Sequence, residues 1–304
     1  SYGAILANTL MHLDESAVRS IVFNSPGLPG KSWLDIDRLQ AIRHVFEMIE
    51  HDCLAQADCA KAFPNIKNAV PRLAQVYERK RLNVEVINSQ TGISDITQIN
   101  WPEIVNVLAS RAGGGNGSVG LPRVLDHLSR IGERSESKVP PGLFTPRALQ
   151  EAFSSLAYGL NVIIGCREER PHTDVGQLRL EGKSYYPYVA TNLVDADFDV
   201  ACPALNLQPV SPKFYQPVLS DTPALILTGI YDTFIPTSRS DSLKEQFSRA
   251  QLIRFRGVGH DIINSTSCGP AMAATFIDTP SAPLHVGCSE RFSPPAFIVQ
   301  PLKD

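Results

Sequence analysis

Apolar positions open the chain in a helical pattern: Ala4, Ile5, Leu6, Ala7, Leu10, Met11 and Leu13 predict a buried helix over residues 4–13. Residues 18–23 are a short β-branched run and read as a strand, closed by Pro26, Gly27, Pro29 and Gly30. Turn, helix and strand in that order form the second half of a βαβ unit. The character then changes from about residue 31 to 205. Leu34, Ile36, Leu39, Ile42, Val45, Phe46 and Ile49 keep helical spacing, and further helical stretches are expected near 66–80, 101–110, 120–131 and 146–164. Loops rich in Gly, Ser and Pro separate them, and the glycine-rich run at 113–117 reads as a flexible loop.

Alternation of strand and helix is absent from that middle stretch and returns at the end. Residues 223–228 (PALILT) and 251–255 (QLIRF) read as buried strands, each followed by a helix, over 238–250 and 270–278. Strands spaced by helices imply a parallel sheet covered on both faces. The expected architecture is therefore an α/β core built from residues 1–30 and 206–304, with residues 31–205 inserted as a mostly helical cap.

Composition narrows the setting. With 304 residues, 43% of them hydrophobic, the chain can form one large domain with a sizeable insertion. A net charge of -3 offers no basic field for nucleic acid or a membrane surface, and no apolar run is long enough to span a bilayer. Six cysteines suggest three disulfides and an oxidising, secreted or periplasmic setting. Order along the chain favours Cys53–Cys59, Cys166–Cys202 and Cys268–Cys288, against the alternative of six buried thiols. Their spacing does not suit zinc, and neither metal nor organic cofactor is implied.

Two loops carry the candidate chemistry. Asp232 lies just past the strand at 223–228, and His260 just past the strand at 251–255. Carboxyl ends of parallel strands are where catalytic groups gather, so the two are expected side by side. A carboxylate there orients the imidazole and leaves its Nε2 free to take a proton. The hydroxyl to be activated is Ser1. Ser1, Tyr2, Gly3 and Ala4 followed by an apolar helix resemble the downstream half of a nucleophile elbow, and Ser, Asp, His is the chain order of α/β-hydrolases. The Tyr2 backbone N–H would supply one oxyanion donor. Singly, each feature is a common turn; order, spacing and strand context together make the set. His12, His44, His51, His127, His172 and His285 lack such a context.

At this point the chain resembles the secreted tripeptidyl aminopeptidase-like branch of the α/β-hydrolases, relatives of proline iminopeptidases. The matching pieces are SYGAILANTLMHLDESAVRSIVFNSP, HDCLAQADCAKAFP, ALILTGIYDTFIPTSRS and VGHDIINSTSC followed by Cys288. The resemblance implies an exported serine hydrolase with a helical cap, acting on short peptides with free N-termini. It supports the cysteine pairing given above. It also implies acidic cap residues that hold the substrate ammonium, and Glu168, with Glu169 beside it, matches that pattern. Arg167 and Arg170 flank the pair, so a surface ion-pair cluster is the alternative.

A complete α/β-hydrolase has several strands before its nucleophile, which leads to the expectation of a companion N-terminal chain from the same precursor. Self-cleavage just before Ser1, by attack of its own Oγ on the preceding carbonyl, would produce the pair; another protease is the alternative. For the activity, a carboxylesterase or amidase on small acyl substrates is the runner-up. A non-catalytic binding module with a hydrolase fold is the reading of a different class.

Overall fold

The computed structural model describes residues 1–31, 35–87, 94–132, 158–189, 196–290, 292, 294 and 296–302. Three parallel strands form the central sheet in the order β1 (Ile21–Asn24), β4 (Ala224–Gly229), β5 (Ala250–Phe255). The register pairs Ile21 with Ala224 and Ala224 with Ala250. Every residue of β4 is buried, as its unbroken apolar sequence requires of a strand covered on both faces. Side chains alternate across it. Ala224 and Ile226 join Phe23, Leu243 and Phe247 on one face, under α1 (Gly3–Asp14) and the helix Thr237–Gln246. Leu225 and Leu227 join Phe255, Met272 and Phe276 on the other, under the helix Cys268–Asp278.

The opening helix departs from the expectation of full burial. Ala4, Ile5, Asn8 and Met11 face inward, whereas Leu6, Leu10 and Leu13 remain exposed. A helix laid on one sheet face covers only one stripe of its surface, and no described residue covers the other.

The middle of the chain builds a further core, which Tyr231 and Phe297 also join. Helices α2 (Ile36–Leu54), α4 (Ala69–Tyr77), α5 (Trp101–Gly113) and α6 (Leu121–Gly132) enclose Leu39, Phe46, Ile49, Leu73, Tyr77, Trp101 and Leu125. Short α3 (Ala57–Ala62) follows α2 and carries Cys59. Asn100 and Glu103 cap α5 reciprocally: the Asn100 side chain accepts the Glu103 N–H, and Glu103 accepts the Asn100 N–H at 2.8 Å. An antiparallel hairpin, β2 (Leu82–Ile87) with β3 (Ser94–Ile99), also belongs to this region, where the sequence predicts only helices. Leu82, Val84 and Ile99 are buried while Asn83 and Glu85 face outward, a period-two pattern too short to stand out between helices. The expected helix at 146–164 is seen over Tyr158–Ile164; its first part lies outside the described residues.

Three disulfides join Cys53 to Cys59, Cys166 to Cys202 and Cys268 to Cys288, the pairs expected from chain order. Among the described residues, no helix is long and apolar enough to cross a membrane and no side-chain cluster suits a metal ion.

Candidate active site

Asp232 and His260 meet at the carboxyl ends of β4 and β5. His260 Nδ1 lies 2.8 Å from Asp232 Oδ2. The other carboxylate oxygen accepts the N–H groups of Phe234 and Ile235, each at 2.8 Å. The Asp232 side chain is fully buried, whereas His260 keeps 22% of its side chain exposed. With Nδ1 directed at the carboxylate, Nε2 is the ring nitrogen left to accept a proton.

Glycines let the loops approach closely enough for this contact. Tyr231 N–H donates to Val258 O at 2.9 Å and Ile230 N–H to Phe255 O at 3.0 Å. A Cβ on Gly229 would lie 2.1 Å from Gly259 O, and a Cβ on Gly259 would lie 2.1 Å from Gly113 O. The glycine-rich segment is thus a packed wall rather than a flexible loop. His260 N–H donates to Gly113 O at 2.5 Å, Gly115 N–H to His260 O at 3.2 Å, and Gly259 N–H to Gly115 O at 2.9 Å. Its glycines signalled a loop in sequence, but only the tertiary contact shows why side chains are excluded there.

Behind the acid turn lies Arg38, from the first turn of α2. Its Nε donates to Thr233 O at 2.9 Å, and its guanidinium sits 5.8 Å from the centre of the Phe234 ring. That ring is 5.4 Å from the His260 ring. Burial and the neighbouring Arg239 charge pull the Arg38 guanidinium down to about 10. Arg239 bonds Asp35, which also caps α2 by accepting the Arg38 N–H. Sequence reasoning missed this tie between α2 and the acid turn, since a lone Arg on a helix carries no signal of its partner.

Ser1 occupies the turn before α1. Its carbonyl accepts the N–H groups of Ala4 at 3.1 Å and Gly27 at 3.2 Å, and its nitrogen donates to Asn24 O at 2.7 Å. Asn24 then reaches the histidine loop: its Nδ2 donates to Asp261 Oδ1 at 2.7 Å, while Asp261 N–H donates to Ser25 Oγ at 3.1 Å. The Ser1 nitrogen also feels the charges of Asp232 and Asp261. The structure therefore gathers Ser1, Asp232 and His260 at one end of the sheet, although no hydrogen bond joins Ser1 Oγ to His260 among the described residues. The Tyr2 N–H likewise has no acceptor among them.

Glu168 comes to Tyr2 from the middle of the chain. It sits in a π-helical turn, Gly165–Glu169, tied by the Cys166–Cys202 bond. Such turns often re-aim side chains. Tyr2 donates its phenolic hydrogen to Glu168 Oε1 at 2.9 Å and lies 3.1 Å from Oε2. Burial pushes the Glu168 carboxyl above its usual range, and the Tyr2 hydrogen bond and the Arg167 charge offset only part of that. The flanking arginines turn elsewhere: Arg167 donates to Gln208 O at 3.0 Å and Arg170 pairs with Asp199. Glu169 lies close enough to Tyr2 and Arg38 for its charge to act on both. His12 contacts Gln216 O, and His172 lies tilted against Tyr215, whose hydroxyl donates to Glu168 O at 3.0 Å.

Comparison with known proteins bears on the C-terminal third. No curated protein matches the chain. Residues 186–288 match the family model described as TAP-like protein, within the α/β-hydrolases. That stretch holds β4, β5, Asp232, His260 and the last disulfide, and it leaves out Ser1 and Glu168. Together with the helix-covered parallel sheet, the match supports an α/β-hydrolase relationship and, with it, a hydrolase.

Proposed function

We propose that this chain is a serine hydrolase that works through an acyl-enzyme, with Ser1 as nucleophile, His260 as general base and then acid, and Asp232 as the orienting carboxylate. The observation that carries the reading is the 2.8 Å contact of His260 Nδ1 with a buried carboxylate whose other oxygen is held by two backbone N–H groups. A carboxylate so fixed selects one imidazole tautomer and stabilises the imidazolium.

The sequence of steps follows. Nε2 of His260 takes the Ser1 hydroxyl proton as Oγ attacks the substrate carbonyl. The Tyr2 N–H, at the start of α1, donates to the resulting oxyanion. Protonated His260 delivers that proton to the leaving amine or alcohol, and the carbon–nitrogen or carbon–oxygen bond breaks. Water, deprotonated by His260, then attacks the acyl-Ser1 ester and restores the hydroxyl.

The substrate class favoured is short peptides with a free N-terminus. Glu168 supports it: a partly buried carboxylate held by the residue after the proposed nucleophile, with its flanking arginines bonded to other groups, suits a substrate ammonium. A panel of aminoacyl and tripeptidyl anilides run against short acyl esters tests this. Peptide turnover that collapses in Glu168→Gln while ester turnover persists is the expected result; equal losses on both would favour the esterase reading.

The outer edge of β1 and the exposed Leu6, Leu10 and Leu13 of α1 suit further strands and a covering element from the companion N-terminal segment. Such strands would also bring the second oxyanion donor. The three disulfides fit an extracellular or periplasmic setting.

A further inference from the structure

One buried cation has no part in the proposed steps. Arg38, in the first turn of α2, reaches the turn that follows β4. Its Nε donates to Thr233 O at 2.9 Å, and its guanidinium stands 5.8 Å from the centre of the Phe234 ring. Thr233 and Phe234 are the two residues after Asp232. The Phe234 N–H donates to Asp232 Oδ1 at 2.8 Å, and the Phe234 ring lies 5.4 Å from the His260 ring. One side chain therefore meets both the backbone that holds the carboxylate and the ring beside the imidazole.

A buried guanidinium is costly unless nearby charges compensate it. Burial and the Arg239 charge work against this one, while Asp232, Asp35 and Glu169 favour it, Asp232 most among the acids. Attraction is mutual, so the cation in turn favours the ionised form of the buried Asp232 carboxylate. Asp35 has other duties: it accepts the Arg38 N–H at 3.0 Å and Arg239 Nη2 at 2.9 Å. Arg239 belongs to the helix Thr237–Gln246, the next element after the acid turn. The start of α2 is thus fastened to that turn through Arg38 and to the helix beyond it through Asp35. A delocalised guanidinium can donate from Nε and approach an aromatic ring at once, a combination that a lysine ammonium does not reproduce.

We propose that Arg38 is a positioning residue for the Asp232–His260 pair: it holds the turn after Asp232 through Thr233 O and seats Phe234 beside the imidazole, which keeps the carboxylate on Nδ1. The inference rests on the serine-hydrolase reading above and gives Arg38 no contact with substrate. Its effect falls on the chemical step, through the imidazole, and not on substrate binding.

Two measurements on the whole protein test this, with Leu39→Ala as the comparator. Leu39 is the next residue of α2 and packs into the apolar core, so its truncation destabilises the same helix without touching the acid turn. The first measurement is Michaelis kinetics on a short acyl ester. In Arg38→Gln kcat is expected to fall about tenfold or more with KM within about twofold, Arg38→Lys recovering part of the loss, whereas Leu39→Ala keeps kcat near wild type despite a lower melting temperature. The second is the far-downfield proton resonance of the His260 Nδ1–H on Asp232, assigned by its loss in His260→Ala. It should weaken or move upfield in Arg38→Gln and persist in Leu39→Ala. Near-ultraviolet circular dichroism checks folding; should Arg38→Gln not fold, Arg38→Lys decides by the same two readings. The resonance needs neither Ser1 nor turnover, so an inactive wild type that still shows it sinks the serine-hydrolase reading and leaves Arg38 to be judged on the resonance. A wild type with neither turnover nor resonance removes both. A kcat loss no larger than that of Leu39→Ala, or a resonance that Arg38→Gln leaves unmoved, overturns the proposal.

Discussion

Tyr2 holds Glu168 through its phenol, 2.9 Å from one carboxylate oxygen and 3.1 Å from the other, across 166 residues of chain. The residue that follows the proposed nucleophile is thereby tied to the π-helical turn that carries Glu168. In the proposed reaction, one residue lends its backbone N–H to the oxyanion and its side chain to the acid that receives the substrate amine. Tyr2→Phe keeps the backbone donor and removes the phenolic hydrogen bond. Loss of one hydrogen bond to a charged group, roughly 1.5–3 kcal/mol, is expected to raise KM for free-amine peptides about tenfold or more. Michaelis parameters for an ester without an amine should stay close to wild type.

Acidity gives a second handle on the same carboxylate. Burial raises the Glu168 pKa above the ordinary carboxylate value, so its charge is lost as pH falls through that raised value. KM for free-amine substrates should therefore climb on the acid side earlier than an exposed glutamate, with a pKa of about 4.3, would dictate. The dependence should vanish in Glu168→Gln. For stability the sign is opposite: a raised folded-state pKa favours the protonated form, so this group's contribution is greatest below the unfolded pKa and declines as pH rises.

Asp261 behaves in the reverse way. Burial pushes its pKa up, but hydrogen bonds from Asn264 and Asn24 and the His260 charge together outweigh burial and hold it below the usual value. Its stabilising contribution is present above the unfolded pKa and is lost as pH falls through the folded one. Asp261→Ala should cut the link from Asn24 to the histidine loop, lowering kcat about tenfold with little change in KM, and should flatten the acid limb of a stability-against-pH curve.

Close packing of the loop glycines predicts a sharp contrast between two alanine variants. In Gly259→Ala the new Cβ would stand 2.1 Å from Gly113 O, a contact that backbone must relieve. A loss of about 1–3 kcal/mol of stability is expected, with most of the activity, because His260 is the next residue. Gly159→Ala, where nothing lies within 4 Å, should leave stability and turnover near wild type. Thermal melts and a single activity assay compare the two.

Much of this arrangement was legible in the chain, for definite reasons. The runs around Leu225 and Ile253 are bounded by turn residues, so the strands and the placement of Asp232 and His260 at their ends follow from local pattern alone. The disulfide pairs followed from chain order. What escaped depends on contacts distant in sequence. Arg38 reaches Thr233 over 195 residues, and Asn24 reaches Asp261 over 237. Neither residue type announces its partner. The run at 113–117 was visible as glycine-rich, but the close approach to Gly259 that excludes side chains there is a tertiary fact. The hairpin of β2 and β3 was hidden because its alternation spans only six residues per strand.

The central claim is that Ser1 is the activated nucleophile of the Asp232–His260 pair. Treatment with a fluorophosphonate followed by denaturing intact-mass and peptide mapping tests it most directly. One adduct on Ser1, absent in Ser1→Ala and strongly slowed in His260→Ala, is the expected result. An unmodified Ser1, or labelling that persists at the same rate without His260, would contradict the account.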